Sequence, residues 1–142
     1  MTMDEKKSNL TFNMKNAVTG SVMCEALLEN KIICSCKVNS NINERMWTIA
    51  SWFTNEEFQG QGIGKETLAR TLLRLYTNTG IPAKIKYIWN GMNPYVLDWM
   101  QRHFDAECSC PVAVQKKQAD DDWESHIYDL DVNKTLNYFG IK

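Results

Sequence analysis

Up to Phe53 the hydrophobic residues come in short runs separated by turn signals, and beyond Gly64 they recur at helical spacing. Leu10 to Met14 reads as a short strand that ends before the turn signal at Thr19-Gly20. Ser21 to Leu28 and Ile32 to Val38 flank Glu29-Asn30-Lys31, a pattern that predicts a β-hairpin. A second turn is expected over 39–44, the segment Asn-Ser-Asn-Ile-Asn-Glu. Met46 to Phe53, with Trp47, Ile49 and Trp52, is the strongest strand of this half. Connections this short predict an antiparallel meander.

The period then changes. In Lys65 to Asn78, Leu68, Leu72, Leu75 and Tyr76 recur at i, i+4, i+7 and i+8, one apolar face of a helix. Glu66 and Arg70 add an i,i+4 pair on its solvent side. Thr79-Gly80-Ile81-Pro82 is a stop signal, with glycine suited to C′. Lys84 to Trp89 is a strand, and Asn93-Pro94 opens a second helix running to about His103, with proline at its first position. Ala106 to Gln115 and Ser125 to Leu130 are the last two strands, joined by a polar loop ending in Asp120-Asp121-Asp122, and 132–139 is a terminal helical turn. The strand–helix–strand unit over 46–89 needs a crossover, hence a parallel pair. The expected fold is α/β, a mixed and mainly antiparallel sheet with a central parallel strand pair and two main helices.

Composition narrows the class. The chain has 142 residues, 44% of them hydrophobic and 23% charged, which excludes a disordered or low-complexity protein. Sixteen basic and seventeen acidic residues give a net charge of −1, which argues against a nucleic-acid coat. No run approaches the roughly 18 apolar residues of a membrane span, and Met1 to Leu10 has no apolar stretch behind it to act as a secretory signal. One cytoplasmic domain over 1–142, frayed at 1–8, is expected. Five cysteines, an odd number, do not suit a disulfide framework. Cys34/Cys36 and Cys108/Cys110 form two C-x-C pairs in strand-like runs, so small buried cysteines are expected with Cys24, and no metal site.

The chemistry-bearing segment is Phe58-Gln59-Gly60-Gln61-Gly62-Ile63-Gly64-Lys65. A Walker A loop would need glycine at Gln59 and Ser or Thr at Glu66, and a dinucleotide fingerprint would need glycine at Lys65. Both fail. Gln-x-x-Gly-x-Gly fits, through Gln59, Gly62 and Gly64. Successive N–H groups of a tight glycine turn make an anion nest, and the following helix adds its unpaired first-turn N–H groups and positive dipole end.

That loop, with its place after a meander and before an amphipathic helix, resembles the pyrophosphate loop of the GCN5-related N-acetyltransferases. The likeness covers roughly 21–130, and its specific part 46–104. It implies an acetyl-CoA-dependent N-acetyltransferase acting on an amine. Cofactor contacts would fall on Phe53 and Thr54 at the strand end, on Gln59, Gly60, Gln61, Gly62, Ile63, Gly64 and Lys65 in the loop, and on Asn93 and Trp99 of the family's second motif.

Two departures stand out. The first strand ends near Lys15 and the next begins near Ser21, leaving no room for the family's usual pair of helices. The acceptor site is then open, or completed by the acceptor or by a second copy in a homodimer, which suits a protein or other macromolecular amine. In the second motif Trp99 stands where relatives carry a tyrosine acid and His103 where they carry glycine. Tyr95, one turn earlier, is therefore the candidate acid for the leaving thiolate, and Glu44, just before the strand, is the candidate base. Glu56, Glu57, His103 and His126 have no placed role. The alternative is a degenerate acetyltransferase fold that serves as an acyl-CoA-binding or protein-interaction module; a purely structural partner protein would need several of the five tryptophans exposed.

Overall fold

The structure is a computed structural model that describes residues 10–17, 20–89, 94–109 and 126–141, with only the backbone of Pro94 and His126. Residues 1–8, Asn93, Cys110 and the acidic loop ending at Asp122 lie outside the described residues. In chain order the elements are β1 (Leu10–Asn16), β2 (Val22–Leu28), β3 (Lys31–Asn41), β4 (Met46–Thr54), a 3-10 turn (Glu56–Phe58), α1 (Ile63–Thr79), β5 (Lys84–Trp89), α2 (Pro94–Phe104), β6 (Glu107–Cys108), β7 (His126–Leu130) and α3 (Val132–Tyr138). The strands follow the order β1-β2-β3-β4-β5-β7-β6 in one seven-stranded sheet. Among the pairs described, β1–β2, β2–β3, β5–β7 and β6–β7 are antiparallel. β4 and β5 are the parallel pair that the crossover requires, in register from Met46↔Lys84 to Ile49↔Tyr87.

The chain divides into two compact units, Met1–Ser40 with Ala50–Gly80, and Asn41–Ile49 with Ile81–Lys142. In the first, Glu29 and Asn30 take successive left-handed conformations (φ 52° and 67°). That matches a primed hairpin turn, whose twist suits the flanking strands. One face of β2 and β3 carries Val22, Cys24, Ala26, Cys34, Cys36 and Val38, all fully buried. The register sets Cys24 opposite Cys36, and α1, whose Leu68, Leu72 and Leu75 are fully buried, packs on β2. Thr67 and Thr71 share this buried helix face, because each hydroxyl donates to the carbonyl four residues back (2.7 Å, to Ile63 and Thr67). Tyr76, expected on the face, is half-buried. Gly80 ends the helix at φ 79°, its N–H donating to the Tyr76 carbonyl.

Two expectations need correction. The turn expected at 39–44 begins later: Asn39–Asn41 complete β3, and Ser40 N–H donates to Ser21 Oγ at 3.1 Å. The turn itself closes at Arg45 (φ 53°), whose N–H donates to the Ile42 carbonyl. Cys108 is exposed rather than buried, because β6 is a two-residue strand at the edge of the sheet.

The second unit buries Trp47, Ile49, Ile85, Met100, Phe104 and Leu136. Asp131 caps α3 by accepting from Lys134 N–H at 2.9 Å, and its own N–H donates to the Phe104 carbonyl at 2.8 Å. No helix among the described residues is long and apolar enough to cross a membrane.

Candidate functional site

The glycine loop lies within the first unit, between β4 and α1. Its ends are anchored by apolar side chains: Phe58 before it and Ile63 after it join one buried cluster with Ala26, Ile33 and Cys34. The 3-10 turn brings the chain off β4, with Phe58 N–H donating to Asn55 O and Gln59 N–H to Glu56 O. Gly60 and Gly62 then adopt φ values of 78° and 82°, which L side chains rarely accept. A Cβ at either would meet nothing within 4 Å, so the space above the turn is open. Gly62 is the N-cap of α1, its carbonyl accepting from Glu66 N–H at 3.1 Å. Among the described residues, the N–H groups of 60 to 64 meet no backbone carbonyl. Donors that meet no backbone carbonyl, open space above the turn and a helix N-terminus are the features of an anion-binding nest.

The loop is also tied down. Trp52 Nε1–H donates to the Gly64 carbonyl at 3.0 Å, Gln59 Nε2–H to the Thr54 carbonyl at 3.0 Å, and Gln61 Nε2–H to the Glu57 carbonyl at 3.3 Å. A Cβ at Gly64 would sit 3.0 Å from Thr54 Oγ1 and 3.7 Å from the Trp52 ring, so glycine is what lets the helix close onto the strand. Thr54 Oγ1–H in turn donates to Cys34 Sγ at 3.3 Å. Arg70 bonds Glu66 at 3.0 Å and lies over the Phe12 ring at 4.0 Å, clamping the first turns of α1 toward β1. Gln61 Oε1 is buried without a partner among the described residues. It asks for a donor, so the fit to an anion rests on the backbone N–H groups. Lys65 is exposed.

Of the remaining candidates, Phe53 belongs to the first unit and Glu44, Tyr95 and Trp99 to the second. Phe53 is 50% exposed on β4. Tyr95 is 82% exposed at the start of α2. The Trp99 ring packs within an aromatic cluster of the second unit, 5.1 Å from Phe104 and 5.5 Å from both His103 and Tyr138. Glu44 is an exposed turn residue that holds Asn41, its N–H donating to Asn41 Oδ1 at 3.1 Å. Asn93 lies outside the described residues. From Trp47 to Thr54, β4 carries no titratable side chain.

The buried thiols are poor nucleophiles. Burial pushes Cys24 up to about 11, against the opposing pull of the Arg70 charge and a Thr71 hydrogen bond. Burial raises Cys36 further. Among the described residues no three His, Cys, Asp or Glu side chains gather as metal ligands would.

Sequence reading missed Trp52 as a tether. Its position two residues before Thr54 on one strand face was the available signal.

No family model matches the chain, and no curated protein matches its sequence. Solved structures do match its fold. Nourseothricin acetyltransferase superimposes with a TM-score of 0.62 at 11% identity, over 87% of this chain and 85% of that one. A GNAT-family acetyltransferase from Elizabethkingia anophelis, solved with acetyl-CoA bound, gives 0.60 at 16% identity over 87% and 98%. The PaiA N-acetyltransferase of Thermoplasma acidophilum, in complex with coenzyme A, gives 0.56 at 11% over 90% and 65%. The chain has the GCN5-related N-acetyltransferase fold.

Proposed function

We propose that this protein is an acetyl-CoA-dependent N-acetyltransferase whose glycine loop, residues 59–65, holds the cofactor pyrophosphate. The observation that carries the reading is the tethered nest: left-handed Gly60 and Gly62, open space above them, and N–H groups of residues 60 to 64 that meet no backbone carbonyl. Bound acetyl-CoA would supply an acetyl thioester. Residues 50–54 of β4 belong to the same unit as the loop, and their amides are suited to orient a pantetheine arm. A fold likeness at low identity leaves activity to be argued from the site, and the coenzyme complexes of two structural neighbours support the same ligand here.

The acceptor is read as an amine on a macromolecule. β1 ends at Asn16 and β2 begins at Val22, a connection too short for helices that would wall off a small metabolite. An amine must attack in its neutral form. With no titratable side chain on β4 from Trp47 to Thr54, and Glu44 a solvated turn residue, the acceptor loses its proton to water. Tyr95 stays in the reading as proton donor to the leaving thiol, in exchange with solvent at its exposed position.

A tenfold rise in kcat/KM per pH unit, continuing up to the acceptor's own pKa of about 10 for a lysine, is therefore expected. A plateau near neutral pH would mean that a base has been overlooked. Intact-mass analysis of peptides bearing free lysines and N-termini, after incubation with acetyl-CoA, tests the activity itself. Addition of one acetyl group at an amine supports it. Binding of coenzyme A without transfer to any peptide or small amine would instead select the acyl-CoA-binding module, which the lack of a base on β4 favours.

A further inference from the structure

We infer that Trp52 is a positioning residue for the cofactor loop: its indole N–H fixes the Gly64–Lys65 peptide, so that the anion nest is already formed before any ligand arrives. The inference rests on the loop being the pyrophosphate site, and goes beyond it by assigning affinity to a residue outside the motif.

The Gly64 carbonyl and the Lys65 N–H belong to one rigid unit and point in opposite directions. Trp52 Nε1–H holds that carbonyl at 3.0 Å, which directs the Lys65 N–H away from the helix body and toward its N-terminal end, where an anion would sit. A helical carbonyl can accept both this bond and the one from within the helix, since it has two lone pairs. The same ring would lie 3.7 Å from a Cβ at Gly64, so the bicycle also sets how closely the first turn approaches β4.

Gln59 and Gln61 act beside it, the first holding the Thr54 carbonyl and the second the Glu57 carbonyl. Three side-chain N–H groups thus face inward and bond the scaffold, while the backbone N–H groups of 60 to 64 are left free. That division of labour is what preorganisation requires: the donors meant for a ligand are not spent on the loop, and the loop's shape does not depend on the ligand. In this reading Gln59, the leading residue of the motif, is a strut whose amide is directed back at β4.

The test is coenzyme A binding by calorimetry, with acetyl-CoA kinetics alongside. Trp52→Phe keeps a ring against Gly64 and removes the N–H. Loss of one hydrogen bond of typical net strength predicts an affinity about five- to tenfold weaker. The KM for acetyl-CoA should rise by a similar factor, well beyond any change in kcat, a split that a merely structural role would not produce. If the smaller ring perturbs folding, Trp52 is replaced by benzothienylalanine, which keeps the bicycle and exchanges the N–H for sulfur, and the same loss is expected. Wild-type affinity in the benzothienylalanine protein overturns the inference and leaves the cofactor site standing. Wild-type protein that binds no coenzyme A overturns the site itself.

Discussion

Gly64 has the least freedom of the loop glycines. It sits inside a helix, where alanine is intrinsically better by about 1 kcal/mol, yet a methyl there would press to 3.0 Å on Thr54 Oγ1. Overpacking of this kind typically costs about 1–3 kcal/mol, so Gly64→Ala is expected to destabilise by a net ~1 kcal/mol. Thr54→Ala in the same chain removes the opposing oxygen, and urea unfolding of both singles and the double should show the pair costing less than the sum. Strict additivity would mean that the strand and helix do not meet at this contact. The buried thiols give a second residue-scale outcome. Cys24 is raised from 9.0 to about 11, so the folded protein keeps a proton that the unfolded chain loses. Stability from this group is present in full below pH 9 and is lost as pH rises toward 11, at about 1.4 kcal/mol per pH unit for each such thiol. Cys24→Ala should flatten the fall in unfolding free energy between about pH 9 and about pH 11. An unchanged slope would assign the loss elsewhere.

Among the elements, those with strong local punctuation were legible from residues alone. Lys84–Trp89 alternates lysine with apolar residues at its start and follows Pro82 by two residues, and its limits are the expected ones. Gly80 stops α1 as its position after the apolar face implies, and Glu66–Arg70 pairs across one turn. What was not legible had a polar disguise. Asn39-Ser40-Asn41 reads as a turn, yet cross-strand pairing and the Ser21 hydroxyl hold it in β3. Thr67 and Thr71 look like surface residues, but hydroxyls that bond their own helix backbone can be buried without leaving a donor unmet. The site divides the same way. Glycine spacing announces the nest because positive φ leaves few other choices, whereas Trp52 acts through an indole N–H that a strand pattern counts only as apolar. Trp99 shows the converse, a motif position whose ring meets Phe104 and Tyr138.

For the molecule as a whole, the fold is carried by structural neighbours at identities of 8–16%, and function by what the chain keeps or lacks on that fold. It keeps the loop, tethered at both ends. It lacks a base on β4 and has too short a connection between β1 and β2 for the helices a walled acceptor site would need. Those features are the basis of the proposed reading, in which the loop holds the cofactor and the acceptor loses its proton to water. The most direct test of the claim is a calorimetric titration of coenzyme A into the wild-type protein, Gly62→Asp and Gly62→Asn. Both side chains tolerate the left-handed backbone at φ 82° better than most, so circular dichroism should report an intact fold in each. The expected outcome is one-to-one binding to the wild type, a modest loss for the asparagine variant, and no measurable binding once a carboxylate occupies the nest. Equal affinity for the aspartate variant and the wild type would place the pyrophosphate elsewhere and contradict the account.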